Sequence, residues 1–329
     1  MNHPNFPYGK GLWIWNLKNC FNGDINKIIS KCKEVGVNYL IICAGNKSVI
    51  WEEQFNPELI KILHANNIKI YSWARVYGDN PLEEAAIATW ALDLGADGHV
   101  FDPEIEYEGK NQSAKTMLWT VRYHFPDAFL AYSPFPMIDS HPNYPYVEFS
   151  KFCDAVMPQM FFGDFKVRPE VIIIETSKQF TNWKNKATTY DYKESIKPII
   201  PLGQAYDNPK TEYISTAEDI AEFIQNAKEY KSVNFWSFEH ILRDDIWAAI
   251  KNNNVNDNKQ VIPEKYSMNG KIDSPRISTE TKEVTKPHIP SGVFIEKTID
   301  DSGNELIIEN PFAHFCKFLI FDINFYIQP

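Results

Sequence analysis

The chain has 329 residues, 44% of them hydrophobic and 14% aromatic, enough to bury a large core, which excludes a mainly disordered protein. Its formal net charge is −10 with no block of Lys or Arg, so a phosphate-gripping face, and with it nucleic acid, is not expected. No leader with a basic start and an apolar middle is read at the N-terminus, and no stretch is apolar enough to span a bilayer; synthesis in the cytoplasm is expected, and any action outside needs another exit.

Taken in order, short apolar runs alternate with segments of helical periodicity. A strand over 11–15 precedes a helix over 24–35, which Gly36 closes. A strand over 39–43 leads to a helix over 57–65 that opens on Pro57, where the missing N–H does no harm. Strand 68–74 is followed by helix 81–94, closed by Gly95, and strand 98–102 by helix 113–123. Strands over 128–133 and 155–161 precede helices over 146–152 and 169–183. Strand 198–203 precedes helix 216–230, whose start carries Ser215 and Thr216 ahead of Glu218 and Asp219. Strand 232–237 and helix 244–251 complete the series.

Eight strand–helix units in about 240 residues match a (β/α)8 TIM barrel over 1–252. An open doubly wound sheet would carry a Gly-rich phosphate turn after the first strand, where this chain has Trp15-Asn16-Leu17-Lys18. Residues 253–290 begin with an Asn-rich polar tract and are expected to be a linker. Residues 291–329 are expected to be a small β-rich segment, a hairpin around 301–304 followed by an aromatic tail. The five cysteines, Cys20, Cys32, Cys43, Cys153 and Cys316, form no C-x-x-C pair and are expected as buried or free thiols.

In such barrels the chemistry lies where strands end and βα loops begin. The fourth strand ends Asp102-Pro103-Glu104-Ile105-Glu106-Tyr107-Glu108. If the strand runs through this stretch, alternation puts Asp102, Glu104 and Glu106 on one face. Carboxyls so close resist full ionisation, and one with a raised pKa is what a general acid near neutral pH requires. Cleaving a glycosidic bond needs such an acid and a second group for the oxocarbenium-like centre. Glu108 is expected beyond the strand, in solvent. Other strand ends supply candidate substrate-binding groups: Trp15, Asn16, Trp73, Arg75, Tyr132, Gln159, Gln204, Trp236 and Glu239. Aromatic faces stack on sugar rings, while amides and Arg bind hydroxyls. Trp13 and Phe235 are expected in the core. Gln159 stands out because a polar residue in an apolar strand needs a partner.

Gly95-Ala96-Asp97-Gly98 followed by Phe101-Asp102-Pro103-Glu104-Ile105-Glu106-Tyr107-Glu108-Gly109 resembles a stretch in a group of bacterial and phage glycoside hydrolase barrels. Tyr132-Ser133 with His141-Pro142, Met157-Pro158-Gln159 and Phe235-Trp236-Ser237 are similar to its later landmarks. More distantly, Asp102-Pro103-Glu104 resembles the fourth-strand D-x-E of family 25 lysozymes and the end of the family 18 chitinase motif. The resemblance implies Glu104 as acid and Asp102 as its helper, acting on an N-acetylated glycan, peptidoglycan above all, as in a lysozyme or endolysin. The chain departs from family 25 at Asn16, where an Asp is usual, and from the four-acid spacing of family 18 at Gly98 and Val100. The second group is thus open among Asp102, Glu106 and the substrate's own acetamide.

Other chemistries have weaker support. The eight His show no His-Glu-x-x-His and no Cys/His pairing, and neither metal nor cofactor is expected, although a divalent cation on Asp102, Glu104 and Glu106 is an alternative. Lys18 and Lys47 follow strands but look exposed for Schiff-base chemistry, and Gly-x-Ser-x-Gly is absent. The rival from another class is a barrel that binds a glycan without cutting it; a chitinase-like or other polysaccharide hydrolase is the rival within the class. A tail that targets the barrel to a surface or a virion is a further possibility. The sequence leaves the oligomeric state open.

Overall fold

A computed structural model describes residues 3–187 and 197–255, together with the backbone of two strands at 295–299 and 305–309. The chain divides into two compact units, Met1–Ile262 and Pro263–Pro329. Among the described residues no helix is long and apolar enough to cross a membrane.

The first unit is a closed parallel barrel. Its strands are β1 Gly9–Ile14, β2 Val37–Asn46, β3 Lys69–Val76, β4 Gly98–Pro103, β5 Phe129–Tyr132, β6 in two pieces (Ala155–Val156 and Gln159–Met160), β7 Leu202–Gln204 and β8 Ser232–Trp236. Each pairs in parallel with the next, and β8 returns to β1 with Gly9 opposite Ser232. Pro158 explains the split in β6: proline has no N–H to give to a ladder. A bridge from Val156 to Ile199 carries the closure across this gap. A short strand, Val49–Ile50, folds back antiparallel on the end of β2.

Helices alternate with the strands: α1 Ile25–Val35, α2 Pro57–Ala65, α3 Pro81–Asp93, α4 Asn111–His124, α5 Tyr146–Phe152, α6 Pro169–Ala187, α7 Ala217–Asn226 and α8 Asp244–Asn252. Local chemistry sets their ends. The Asp24 side chain accepts from the backbone N–H of Asn26 and Lys27, and Gly36 closes α1 at φ 70°, a conformation glycine adopts without steric cost. Thr216 caps α7 through Asp219 N–H. All eight expected units are present; α2 and α5 keep their expected bounds, and the other helix ends shift by at most four residues.

Alternate residues of each strand point inward and fill the barrel. Trp13, Tyr39, Tyr71, Trp73, Phe129 and Leu202 belong to one buried interior cluster. Gly11 is required by this filling, since a Cβ there would lie 2.0 Å from the Tyr39 ring. The opposite parity packs on the helices, where Phe101, Leu118, Leu130, Tyr132 and Phe149 share a second core. Because every strand is parallel, all their carboxyl ends emerge at one rim.

In the second unit, β9 Ile295–Ile299 and β10 Glu305–Glu309 pair antiparallel. The expected turn at 301–304, nearly all of the linker, the aromatic tail and Cys316 lie outside the described residues. The four described cysteines are free and buried.

Candidate active site

β4 delivers the carboxylate pair. Val100 and Asp102 share the inward parity, while Phe101 packs toward the helices. The strand ends at Pro103; Glu104 has an extended backbone and leads into a single 3-10 turn, Ile105–Tyr107. Asp102 is 7% and Glu104 9% exposed. Arg75 comes from β3, in register with Asp102, and its Nη2 lies 3.0 Å from Glu104 Oε2 and 3.0 Å from Glu106 Oε1. Gln159, from β6 two strands along, donates through Nε2 to Asp102 Oδ1 at 3.0 Å and to the Ser133 carbonyl at 3.3 Å. The cluster therefore joins β3, β4, β5 and β6 at one rim.

Burial pushes the Asp102 carboxyl well above the usual range, and the neighbouring Glu104 adds to the rise against the pull of Arg75. Glu104 is also raised by burial, with Arg75 opposing and Glu106 adding. Two such groups side by side cannot both ionise freely, so the pair holds a proton to higher pH than a lone carboxyl would. Arg75 supplies the positive charge that a bound cation would otherwise bring, and among the described residues no group of three His, Cys, Asp or Glu forms a cation site.

Four buried polar atoms near this rim have no hydrogen-bond partner among the described residues: Arg75 Nε, Glu106 Oε2, Ser133 Oγ and Asn46 Oδ1, the last opposite Arg75 in register. Buried polar atoms ordinarily find partners, so this concentration marks capacity for a polar ligand or water. Beside them lies a tryptophan wall. Trp13 and Trp73 are fully buried, with ring centroids 5.2 Å apart. Half-buried Trp15 and Trp236 pack on Trp73 at 5.1 and 5.4 Å, and Trp51 meets Trp15 edge-on at 5.3 Å. The Trp236–Ser237 peptide bond is cis.

Several expectations from the sequence need correction. Glu106 does not share a strand face with Asp102, because the strand has ended; the 3-10 turn carries it to Arg75 instead. Trp73 is floor rather than open surface, with its indole N–H on the Ile14 carbonyl at 3.0 Å. Tyr132 faces away from the barrel interior, where its hydroxyl meets Ser150 Oγ at 2.9 Å and its ring stacks on Phe149. Gln204 is wholly buried and bonded to Asp164, accepting from its N–H and donating to Oδ1 at 2.9 Å. Asn16 caps a local turn by accepting from Lys18 N–H. Glu239 Oε1 is taken by the backbone N–H groups of Trp15 and Asn16, at 2.9 Å each, so it ties β8 to the exit of β1. Glu108 lies beyond the strand as expected, but it is half-buried and paired with His141 Nδ1 at 2.7 Å.

Two carboxylates escaped the sequence reading. Asp164 accepts from Gln204, Tyr206 and Asn208, on a loop some forty positions away. Glu84 is a buried acid inside α3. Neither follows a strand at recognisable spacing; only an acidic residue among apolar helix positions, Glu84 beside Ala85 and Ala88, gave a local signal.

No family model matches the chain, and no curated protein does. Solved structures do. The catalytic domain of a hyperthermophilic chitinase from Pyrococcus furiosus superposes with a TM-score of 0.56 at 14% identity, covering 76% of this chain and 95% of that one. Catalytic-site mutants of the active domain 2 of a chitinase from the same organism, complexed with chito-oligosaccharides, give 0.56 at 14% identity, covering 75% and 96%. Chitinase ChiW from Paenibacillus gives 0.50 at 10% identity, covering 74% of this chain and 32% of that chain. The likeness is one of fold. It shows the α/β barrel and leaves the chemistry to the rim.

Proposed function

We propose that this barrel is a glycoside hydrolase acting on an N-acetylated glycan, with Glu104 as general acid and Asp102 as its assistant. The observation that carries the reading is the buried Asp102–Glu104 pair at the end of β4, one member held by the Gln159 amide and the other by Arg75. A protonated Glu104, its pKa raised by burial, gives its proton to the leaving oxygen. The negative charge this leaves on the Asp102–Glu104 pair compensates the positive charge that develops at the sugar's anomeric centre. Asn16 caps its own turn and offers no acid from β1, so the second group comes from β4 or from the substrate's acetamide. The tryptophan wall supplies an apolar face for sugar rings.

The chitinase neighbours support chito-oligosaccharide as the first substrate, and the lysozyme-like D-x-E supports peptidoglycan as the second. Both polymers present the N-acetyl group this arrangement uses. Cleavage of peptidoglycan places the protein's action at the cell wall, after release by a phage-type or non-classical route. The test is to incubate the full chain with each polymer and count new reducing ends. Cleavage abolished by Glu104→Gln supports the reading. Binding without new reducing ends, unchanged by that variant, assigns a glycan-binding barrel instead.

A further inference from the structure

Glu84 lies in the opening turns of α3 and is 1% exposed, an expensive place for a carboxyl unless it is fully bonded. Its bonds run to two different loops of the rim. Oε1 accepts from the backbone N–H of Tyr77 and Gly78, both at 2.8 Å, in the loop that follows Arg75. Oε2 accepts from Gly78 N–H at 3.1 Å and from the Tyr107 hydroxyl at 3.0 Å. Tyr107 belongs to the 3-10 turn that starts after Glu104 and contains Glu106.

The junction is tightly built. Gly78 has φ 74°, and a Cβ there would lie 2.9 Å from Lys110 Cδ and 3.1 Å from Tyr107 Cζ, so the β3 loop packs directly on the β4 turn. Lys110 adds a second tie, donating to the Tyr77 carbonyl at 2.8 Å and pairing with Asp79 at 2.6 Å. The Tyr77 ring, fixed by this loop, lies 5.2 Å from the Arg75 guanidinium. A single side chain from the helical layer thus holds both the loop that follows the arginine and the turn that borders the acids.

We infer that Glu84 is a positioning residue that sets Arg75 against Glu104 and Glu106 by clamping the loops after β3 and β4 together. This rests on the reading of Glu104 as the acid only for its kinetic consequence. The charged groups facing Glu104 are Arg75 from β3, Asp102 from the end of β4 and Glu106 from the turn, with the Gln159 amide from β6. Those facing Glu84 are Asp79 and Tyr107, with Lys110 paired to Asp79. Since Arg75 holds the Glu104 pKa down, loosening the clamp raises it.

The experiment titrates Glu104 directly in the full chain carrying carboxyl-labelled glutamate, its resonance assigned by its loss in Glu104→Gln. Wild type, Glu84→Gln and Tyr107→Phe are compared after unfolding curves establish that each is folded. The Glu104 midpoint should move up by about half a pH unit in Glu84→Gln, roughly a threefold change in the protonated-to-ionised ratio, and by less in Tyr107→Phe. The alkaline limb of kcat/KM should move the same way. Unchanged midpoints in the folded variants would overturn the inference and leave Glu84 a merely structural residue. If Glu84→Gln does not fold, Tyr107→Phe decides. If the wild type cleaves no glycan, the hydrolase reading fails while the titration still decides the positioning.

Discussion

Two sectors of the described structure hold buried carboxylates under opposite conditions. Where β6 and β7 end, Asp164 receives three neutral donors, from Gln204 Nε2, Asn208 Nδ2 and the Tyr206 hydroxyl at 2.9, 2.8 and 2.6 Å, and its own N–H returns to Gln204. Where β3 and β4 end, Asp102 and Glu104 share one arginine and one amide, and buried atoms of Arg75 and Glu106 lack partners among the described residues. Burial raises the pKa in both places, so a shifted pKa alone does not separate them. Saturation does. A carboxylate with its lone pairs filled by fixed donors joins two loops; one beside unfilled capacity can accept a ligand.

The largest expected difference comes from exchanging each acid for its amide. Glu104→Gln should lower kcat/KM on the cleaved glycan by about 10²–10⁴, the usual worth of a positioned general acid, with the melting temperature nearly unchanged. Asp164→Asn turns an acceptor into a donor amid three donors. It should cost about 1–3 kcal/mol of stability, read in urea, while the folded fraction keeps kcat within a few-fold of wild type. A kinetic loss in Asp164→Asn as deep as that of Glu104→Gln, at unchanged stability, would break the comparison and move Asp164 into the chemistry.

The contrast also marks what sequence can and cannot carry. The eight units were readable because Gly36, Gly95, Pro57 and Thr216 end or start helices by local chemistry, and because apolar runs are short and evenly spaced. Asp102 and Glu104 were readable as acids at the end of a strand. Tyr132 was not, because a barrel strand is apolar on both faces and offers no alternation to tell the inside from the helical layer. Glu106 was placed wrongly because strand parity was extended past Pro103, where the strand stops. Gln204 with Asp164, Glu239 with Trp15, and Glu84 with Tyr107 depend on pairings across loops, which no local period encodes.

A middle-sized effect should appear in the pH dependence of stability. The Asp102 and Glu104 carboxyls are raised above their ordinary values in the folded protein. Such groups contribute fully at pH below the ordinary carboxylate range, and that contribution is lost as pH rises through the folded values. Stability should therefore decline with pH across that window. Asp102→Asn keeps an oxygen for the Gln159 amide and removes the charge that repels Glu104. Its melting temperature should exceed that of wild type by about 2–4 °C on the alkaline side, the shift that about 1 kcal/mol makes in a domain this size. The gain should vanish at acid pH, where the wild-type carboxyl is already neutral. Scanning calorimetry from about pH 4 to about pH 9 checks both the sign and the window. A constant difference at every pH would mean that packing, not charge, separates the variants.

The smallest expected effect tests whether the comparison extends beyond the acids. Tyr132 sits one residue before Ser133, whose buried hydroxyl has no partner among the described residues. Ser133 follows the last residue of β5 and its N–H still bonds the Phe101 carbonyl at 2.8 Å, so it continues the alternation, while Tyr132 spends its hydroxyl on Ser150 in the helical layer. Tyr132→Phe removes that bond and leaves the ring stacked on Phe149, so it should cost about 1 kcal/mol and leave kcat and KM within experimental scatter. Ser133→Ala removes no existing side-chain bond and lies beside the carbonyl that accepts from Gln159. It should leave stability unchanged and raise KM about two- to tenfold, the worth of one neutral hydrogen bond to a bound hydroxyl. Two neighbouring hydroxyls with opposite signatures, one in stability and one in binding, would locate the boundary between architecture and site within a single residue at the end of β5. A rise in KM from Tyr132→Phe and none from Ser133→Ala would put that boundary on the wrong face of the strand.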